Sequence, residues 1–258
     1  MKIGVLVKQV PGSEASLRIR PDQSWIDESS LEFEMNESDS YALEEALQIC
    51  EKVGGGEVVA ISMGPAVRTT KVLREALAKG ANRAIHIIEE PPYDVDPMII
   101  AGVFKKAIQD EQFDLLFSGL QSNDLSQGQT GLLVGEMLGM NSATLVIGTE
   151  IQDGCIRVKR ELGSRWFQWL SVPIPAILSI QSGLNQPRYP SLKGIMGAKK
   201  KEIKTIAKED LLSGAEQLQS FDNVYIQKKD KKTEMIEGEP AAIVNRLIDV
   251  FKNEIKVL

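Results

Sequence analysis

The stretch Gly119 to Gly131, GLQSNDLSQGQTG, gathers the side chains best suited to hold a polar small molecule. It follows the apolar run FDLLFSG and opens into a helical pattern, the position at which open α/β sheets place ligands. Free backbone N–H groups at a helix start, with Ser126, Gln129 and Thr130 beside them, suit an anion such as phosphate. Asp124 would repel a phosphate and better suits an amide or a ribose hydroxyl. An ordinary polar βα loop with helix caps would use the same residue types, so both readings stay open on these residues alone. A second polar cluster, MNESD from Met35 to Asp39, precedes the first helical pattern. Ser38 or Asp39 would cap that helix, and the loop also lies at the carboxyl edge of the expected sheet. His86 is the only histidine and sits within apolar RAIHII, where a core residue is expected. A Ser-His-Asp triad or a histidine zinc site therefore has almost nothing to draw on. No G-x-G-x-x-G follows the first strand and no Walker A motif is present. Gly54 to Gly56 read as a helix stop and tight turn, and Glu161 in VKREL reads as part of a solvated strand face.

The elements that must position these loops alternate regularly. KIGVLVKQV reads as a first strand ending at Pro11-Gly12, ESDSYALEEALQICEKV as a helix, and EVVAISMG as a second strand. VRTTKVLREALAKG, RAIHII, DPMIIAGVFKKAIQDE and FDLLFSG continue the helix and strand order. Strands without polar alternation, each followed by a helix, indicate a mostly parallel Rossmann-like sheet covered on both faces. ATLVIGTEI, CIRVKREL, RWFQWLSVP and PAILSIQSG then follow with short links and are expected as antiparallel additions. After about Lys199 the chain turns charged, and only AAIVNRLIDVFKNEI reads as a helix. The expected organisation is an α/β domain over 1–200 and a C-terminal arm over 201–258 that packs on another chain or docks back on its own domain.

Composition narrows the class. The chain has 258 residues, 43% of them hydrophobic and 26% charged, which is ordinary globular composition. A net charge of -6 disfavours nucleic acid, whose phosphates need a basic face. No apolar run reaches the roughly 20 residues that span a bilayer. Cys50 and Cys155 fit a reducing compartment and have no second Cys or His at metal-ligand spacing, so the expectation is a cytoplasmic protein without a metal site.

Several stretches together resemble the β subunit of electron transfer flavoprotein. They are KIGVLVKQVP, MNESDSYALEEAL, SMGPA with LREALAKGANRAIHI, GLQSNDLSQGQTG, VKREL, PAILSIQSGLNQPRYPSLKGIMGAKKK and TEMIEG, in that order along essentially the whole chain. The LNQPRYPSLKGIM block is the most specific. The resemblance implies a heterodimer with an α subunit that holds most of a redox-active FAD. The β subunit binds AMP as a structural nucleotide and reaches round the α subunit with its C-terminal arm. Electrons would pass from a dehydrogenase, such as an acyl-CoA dehydrogenase, to a quinone reductase.

By position, the resemblance carries a nucleotide pocket onto Leu6, Asn36, Glu37, Ser38, Asp39, Met63, Gly119, Gln121, Ser122, Asn123, Asp124, Ser126, Gln127, Gly128, Gln129 and Thr130. Glu161 would lie near the flavin and pair with an α-subunit arginine. The segment 182–197 would be a recognition loop for the dehydrogenase, with Leu184 as its exposed anchor and Asn185, Pro187, Arg188 and Tyr189 beside it. Two departures stand out. ELGSRWFQW replaces the acid-Gly-Gly turn of many members, and PGSEAS lacks the aromatic that many carry after the first strand. Three alternatives are weighed against the simple shuttle. One is an electron-bifurcating relative with a second FAD in the AMP pocket that oxidises NADH, disfavoured because MNESD lacks an Asn-Pro pair. The others are a free-standing nucleotide-binding α/β enzyme and a stress-type ligand sensor.

Overall fold

The computed structural model describes residues 1–93, 95–211, 217–227 and 233–257. Parts of the expected arm at 212–216, 228–232 and 258 lie outside the described residues. The strands are β1 (Lys2–Leu6), β2 (Gln9–Pro11), β3 (Phe33–Met35), β4 (Glu57–Gly64), β5 (Arg83–Ile88), β6 (Leu115–Gly119), β7 (Asn141–Gln152), β8 (Cys155–Glu161), β9 (Phe167–Pro173), β10 (Ala176–Ile180) and β11 (Ile203–Ala207). The α-helices are α1 (Glu37–Lys52), α2 (Ala66–Lys79), α3 (Pro97–Ile108), α4 (Thr130–Met137), α5 (Leu192–Ala198) and α6 (Pro240–Asp249).

Nine strands form one sheet in the order β11-β5-β4-β1-β6-β10-β7-β8-β9. The apolar runs explain its centre. On β4, Val58 and Ala60 face one buried cluster with α1 and α2, while Val59 and Ile61 face a second cluster with α3 and α4. Each fully buried Val or Ile contributes about 1.5 to 3 kcal/mol, so a strand buried on both faces is fixed without any polar alternation. The sheet is parallel from β11 through to β7, and β7, β8 and β9 form an antiparallel meander at one edge. The α/β architecture with antiparallel additions is therefore as the sequence suggests.

Four details differ. KIGVLVKQV is not one strand: after Leu6 the chain leaves the sheet, and Gln9–Pro11 pairs instead with Phe33–Met35. PAILSI is not an antiparallel addition. It is β10, parallel to both β6 and β7 and inserted between them, and all five of its residues are buried. Its lack of alternation is the mark of a central strand. The charged stretch after Lys199 contains β11, parallel to β5 at the opposite edge. β11 packs Ile203 on one core cluster and Ile206 on the other, while the charged Lys204 between them is exposed. The sheet-bearing unit accordingly runs from Met1 to Asn223, beyond the expected boundary at 200, and a second unit covers Val224–Leu258. Within the second unit α6 carries Ile243, Val244, Leu247 and Ile248 at helical spacing, and none of its residues is buried. Arg246 there pairs with Glu234, Asp249 and Glu254.

No helix among the described residues is long and apolar enough to cross a membrane.

Candidate functional site

The carboxyl ends of β1, β4 and β6 bring Leu6, Met63 and Gly119 to one edge of the sheet, with the start of α1 beside them. Asn36 is the N-cap of α1, but its side chain makes no capping hydrogen bond. Neither Ser38 nor Asp39 is the cap that the sequence suggests. Both lie inside the first turn and are turned toward the 119–123 loop. Asn36 Nδ2 donates to Gln121 O at 3.0 Å and Ser38 Oγ donates to the same carbonyl at 2.9 Å. Asn36 Oδ1 accepts Asn123 N–H at 3.0 Å. Asp39 Oδ1 accepts Gly119 N–H at 2.9 Å and Oδ2 accepts Lys8 N–H at 2.8 Å. Burial pushes the Asp39 carboxyl up to about 6, against the lowering effect of those two N–H donors. Gly119 is required here: a Cβ would lie 2.2 Å from Ser38 Oγ and 2.3 Å from Asp39 Oδ1. Glu37 is exposed and takes no part in this lacing.

Asp124 is not a bare negative charge at the loop. Lys8 Nζ reaches both of its oxygens at 2.7 Å and Ser122 Oγ at 3.4 Å. Lys8 is a site residue that sequence reasoning misses, although its place just past the end of β1 is the signal that could have found it. Ser126 and Gly128 have left-handed φ values of 54° and 63°, which turn the loop back toward α4. Gln127 leans away, its Nε2 on Val95 O at 3.2 Å. Gln129 is the N-cap of α4 but supplies no side-chain cap, and no acidic residue occupies the first turn. The first N–H groups of α4, at Thr130, are thus left for an anion. These residues fit a nucleotide in one respect: the polar groups of α1 hold the loop's main chain in place, and the uncapped start of α4 beyond it suits a phosphate.

A second polar network lies farther along α1. Asn185 Nδ2 donates to Tyr41 O at 3.1 Å and Glu45 Oε2 at 2.9 Å, and Glu45 also accepts from the Thr149 hydroxyl. Arg188 pairs with Glu44 at 2.8 Å and Glu51 at 2.6 Å. Burial would raise the Glu44 carboxyl, but hydrogen bonds from Arg188 and Gln48 outweigh it and hold it below the usual range. The Arg188 hydrogen bond likewise holds Glu51 low. The expected exposed anchor is corrected by this geometry. Leu184 is half-buried and packs against the core, because the Asn185 and Arg188 contacts pull this part of the loop onto α1. Pro187 is half-buried too. The exposed apolar residues come later: Tyr189 is 94% exposed and Leu192 83%. Leu192, Ile195 and Met196 share one face of α5, a helix in the middle of what reads as loop.

The lysine run that follows is not uniform. Lys201 Nζ donates to Leu77 O and Ala81 O, at 3.0 and 2.5 Å, and caps α2. In return Arg74 on α2 donates to Ala198 O and Lys201 O at the end of α5. Lys199 and Lys200 are exposed.

Glu161 ends β8, half-buried and opposite Phe167 of β9. The departing turn Gly163–Arg165 is a short 3-10 turn. It delivers Trp166, Phe167 and Trp169 to the surface, where Arg157 stacks on Trp169 at 4.3 Å and Lys159 on Phe167 at 4.4 Å. His86 is a core residue, 2% exposed, with Nε2 3.0 Å from Gly64 O.

Comparison with known proteins decides the family. The electron transfer flavoprotein domain matches residues 23–211. The chain belongs to the electron transfer flavoprotein family. Its relatives include the electron transfer flavoprotein subunit beta of Methylophilus methylotrophus, 34% identical over 98% of this chain and 99% of that one. The mitochondrial subunit beta of Oryza sativa subsp. indica is 32% identical and that of Bacillus subtilis (strain 168) 31%, each over the whole of both chains. The electron-transfer role and an association with flavin or nucleotide follow from membership of the electron transfer flavoprotein family.

Proposed function

We propose that the chain is the β subunit of a heterodimeric electron transfer flavoprotein. It pairs with an α subunit that holds most of an FAD, binds AMP between α1 and the 119–130 loop, and docks a dehydrogenase through the 182–197 segment. A quinone reductase is the acceptor. FAD, when bound, supplies the electron-accepting and electron-donating chemistry. The chain's own residues supply position: Asn36, Ser38 and Asp39 shape the nucleotide pocket, and the docking segment brings the donor close. Glu161 sits beside the flavin, and α6 packs on the α subunit through the face that carries Ile243, Val244, Leu247 and Ile248.

The observation that carries the docking part is the contrast inside one segment. Asn185 and Arg188 are fixed on α1, while Tyr189 and Leu192 just beyond them are 94% and 83% exposed. The docking anchor proposed is therefore Leu192, in place of Leu184. Burying one leucine yields about 2 kcal/mol, suited to a contact that must form and release with each turnover.

The pocket is tested by releasing and counting nucleotides from the complex made with its natural α subunit. One FAD and one AMP per heterodimer are expected. Two FAD and no AMP would replace the simple shuttle with the bifurcating reading. The docking part is tested by Leu192→Ala, which should raise the donor concentration for half-maximal flavin reduction about tenfold and leave flavin content intact. Unchanged kinetics would overturn it.

A further inference from the structure

The docking segment is tied down at both ends by arginines whose targets are on different elements. At its far end Arg74 of α2 holds Ala198 O at 2.5 Å and Lys201 O at 2.8 Å. Gly194 lets α5 lie directly on α2, since a Cβ there would meet Ala78 O at 2.3 Å. At its near end Arg188 donates to two carboxylates of α1. Its N–H and Nε donate to Glu44 Oε2 at 3.1 and 2.8 Å, and Nη2 donates to Glu44 Oε1 at 2.9 Å. Nη1 donates to Glu51 Oε1 at 2.6 Å and Nη2 to Glu51 Oε2 at 3.2 Å. Glu44 is 4% exposed and also accepts from Gln48 on its own helix. Glu51 lies about two helical turns beyond Glu44, so the guanidinium lies along α1 to reach both partners.

We infer that Arg188 is the positioning residue of the docking surface: its fork onto Glu44 and Glu51 fixes the point where the segment leaves α1, and so presents Tyr189, Leu192 and Met196 in one preformed arrangement. This rests on the docking reading of residues 182–197 given above. The chemistry favours arginine specifically. A planar guanidinium satisfies two carboxylates at once, whereas a lysine ammonium is a point charge that holds one. A segment already ordered before the donor arrives loses less conformational entropy on docking. Before Arg188 the side chains of Leu184 and Asn185 face inward, and directly after it Tyr189 is 94% exposed.

The test uses the complete heterodimer and an acyl-CoA dehydrogenase verified to reduce the wild type. Arg188→Met should raise the donor concentration for half-maximal flavin reduction about tenfold and leave the limiting rate unchanged. Amide exchange across 189–197 should quicken by a similar factor, with residues 119–131 unaffected. Arg188→Lys should recover only part of both effects. Asn141→Ala, which removes hydrogen bonds to Pro173 O and Pro175 O at the start of β7, serves as the destabilised control and should move neither readout. Unaltered half-saturation and exchange in Arg188→Met, or an equal effect in Asn141→Ala, would overturn the inference. If Leu192→Ala is also silent, the docking reading itself falls. If Leu192→Ala weakens docking while Arg188→Met does not, only the role of Arg188 falls.

Discussion

Helix α1 uses carboxylates in two ways, one at each end. At its start Asp39 is 6% exposed and accepts backbone N–H groups, those of Lys8 and Gly119. Farther along, Glu44 and Glu51 hold a guanidinium. The first arrangement ties α1 to the main chain of two neighbouring strands' ends and carries its charge at a penalty. The second fixes a surface segment and keeps its charges paired. The difference is visible in the acid–base behaviour: burial drives Asp39 up, while Arg188 brings Glu44 and Glu51 down. One helix thus ties down a buried loop at its start and a surface segment farther along without mixing their electrostatics.

The largest expected effect is at the buried end. Asp39→Ala leaves two N–H groups without acceptors and should lower stability by about 2 to 4 kcal/mol, with loss of bound nucleotide, measured by urea unfolding and nucleotide release. A loss under about 1 kcal/mol would break the contrast. Next comes Glu44→Ala, expected to cost about 2 kcal/mol because Arg188 loses three hydrogen bonds to a buried carboxylate and keeps only the exposed Glu51. Glu51→Ala should stay within about 0.5 kcal/mol, since the Glu51 side chain is 60% exposed. Equal losses at the two positions would show that burial is not what separates them.

The pH dependence sharpens the same contrast because the signs are opposite. Asp39 has a raised folded value, so its stabilising contribution is complete below its ordinary 3.8 and is lost as pH rises through about 6. Glu44 and Glu51 have depressed values, so theirs is complete above the ordinary carboxylate range and is lost as pH falls through the depressed values. Asp39→Asn should remove the fall in melting temperature between about pH 4 and 6, and Arg188→Met should remove part of the fall in acid. Melting curves of the heterodimer at fixed concentration measure both. The smallest effect on stability belongs to Leu192→Ala, within about 0.5 kcal/mol for a side chain 83% exposed.

Much of the sheet was legible because its strands carry their burial in plain apolar runs, as in EVVAISMG and FDLLFSG. The meeting of MNESD with GLQSNDLSQGQTG was legible in outline because each sits where a strand ends, and hydrogen bonds join the two. What escaped depends on long-range partners. Nothing near Lys8 in sequence announces Asp124, 116 residues on. Leu184 and Leu192 are the same residue type in the same segment, and only the Asn185 and Arg188 contacts with α1 decide which is turned inward. β11 was missed because its two isoleucines, Ile203 and Ile206, face opposite clusters three positions apart, which matches neither strand alternation nor an apolar run.

The place of β10 in the sheet has a consequence for synthesis. The strands β1, β4, β5 and β6 are all complete by residue 119 and can pair as soon as they leave the ribosome. The meander of β7, β8 and β9 is made next, yet it joins that sheet through β10, which ends at residue 180. From residue 161, where β8 ends, to residue 180, about 20 residues of elongation at about 5 to 20 residues per second, the growing chain holds two sheets with facing open edges. The last strand made of the central five is the one that closes them into one.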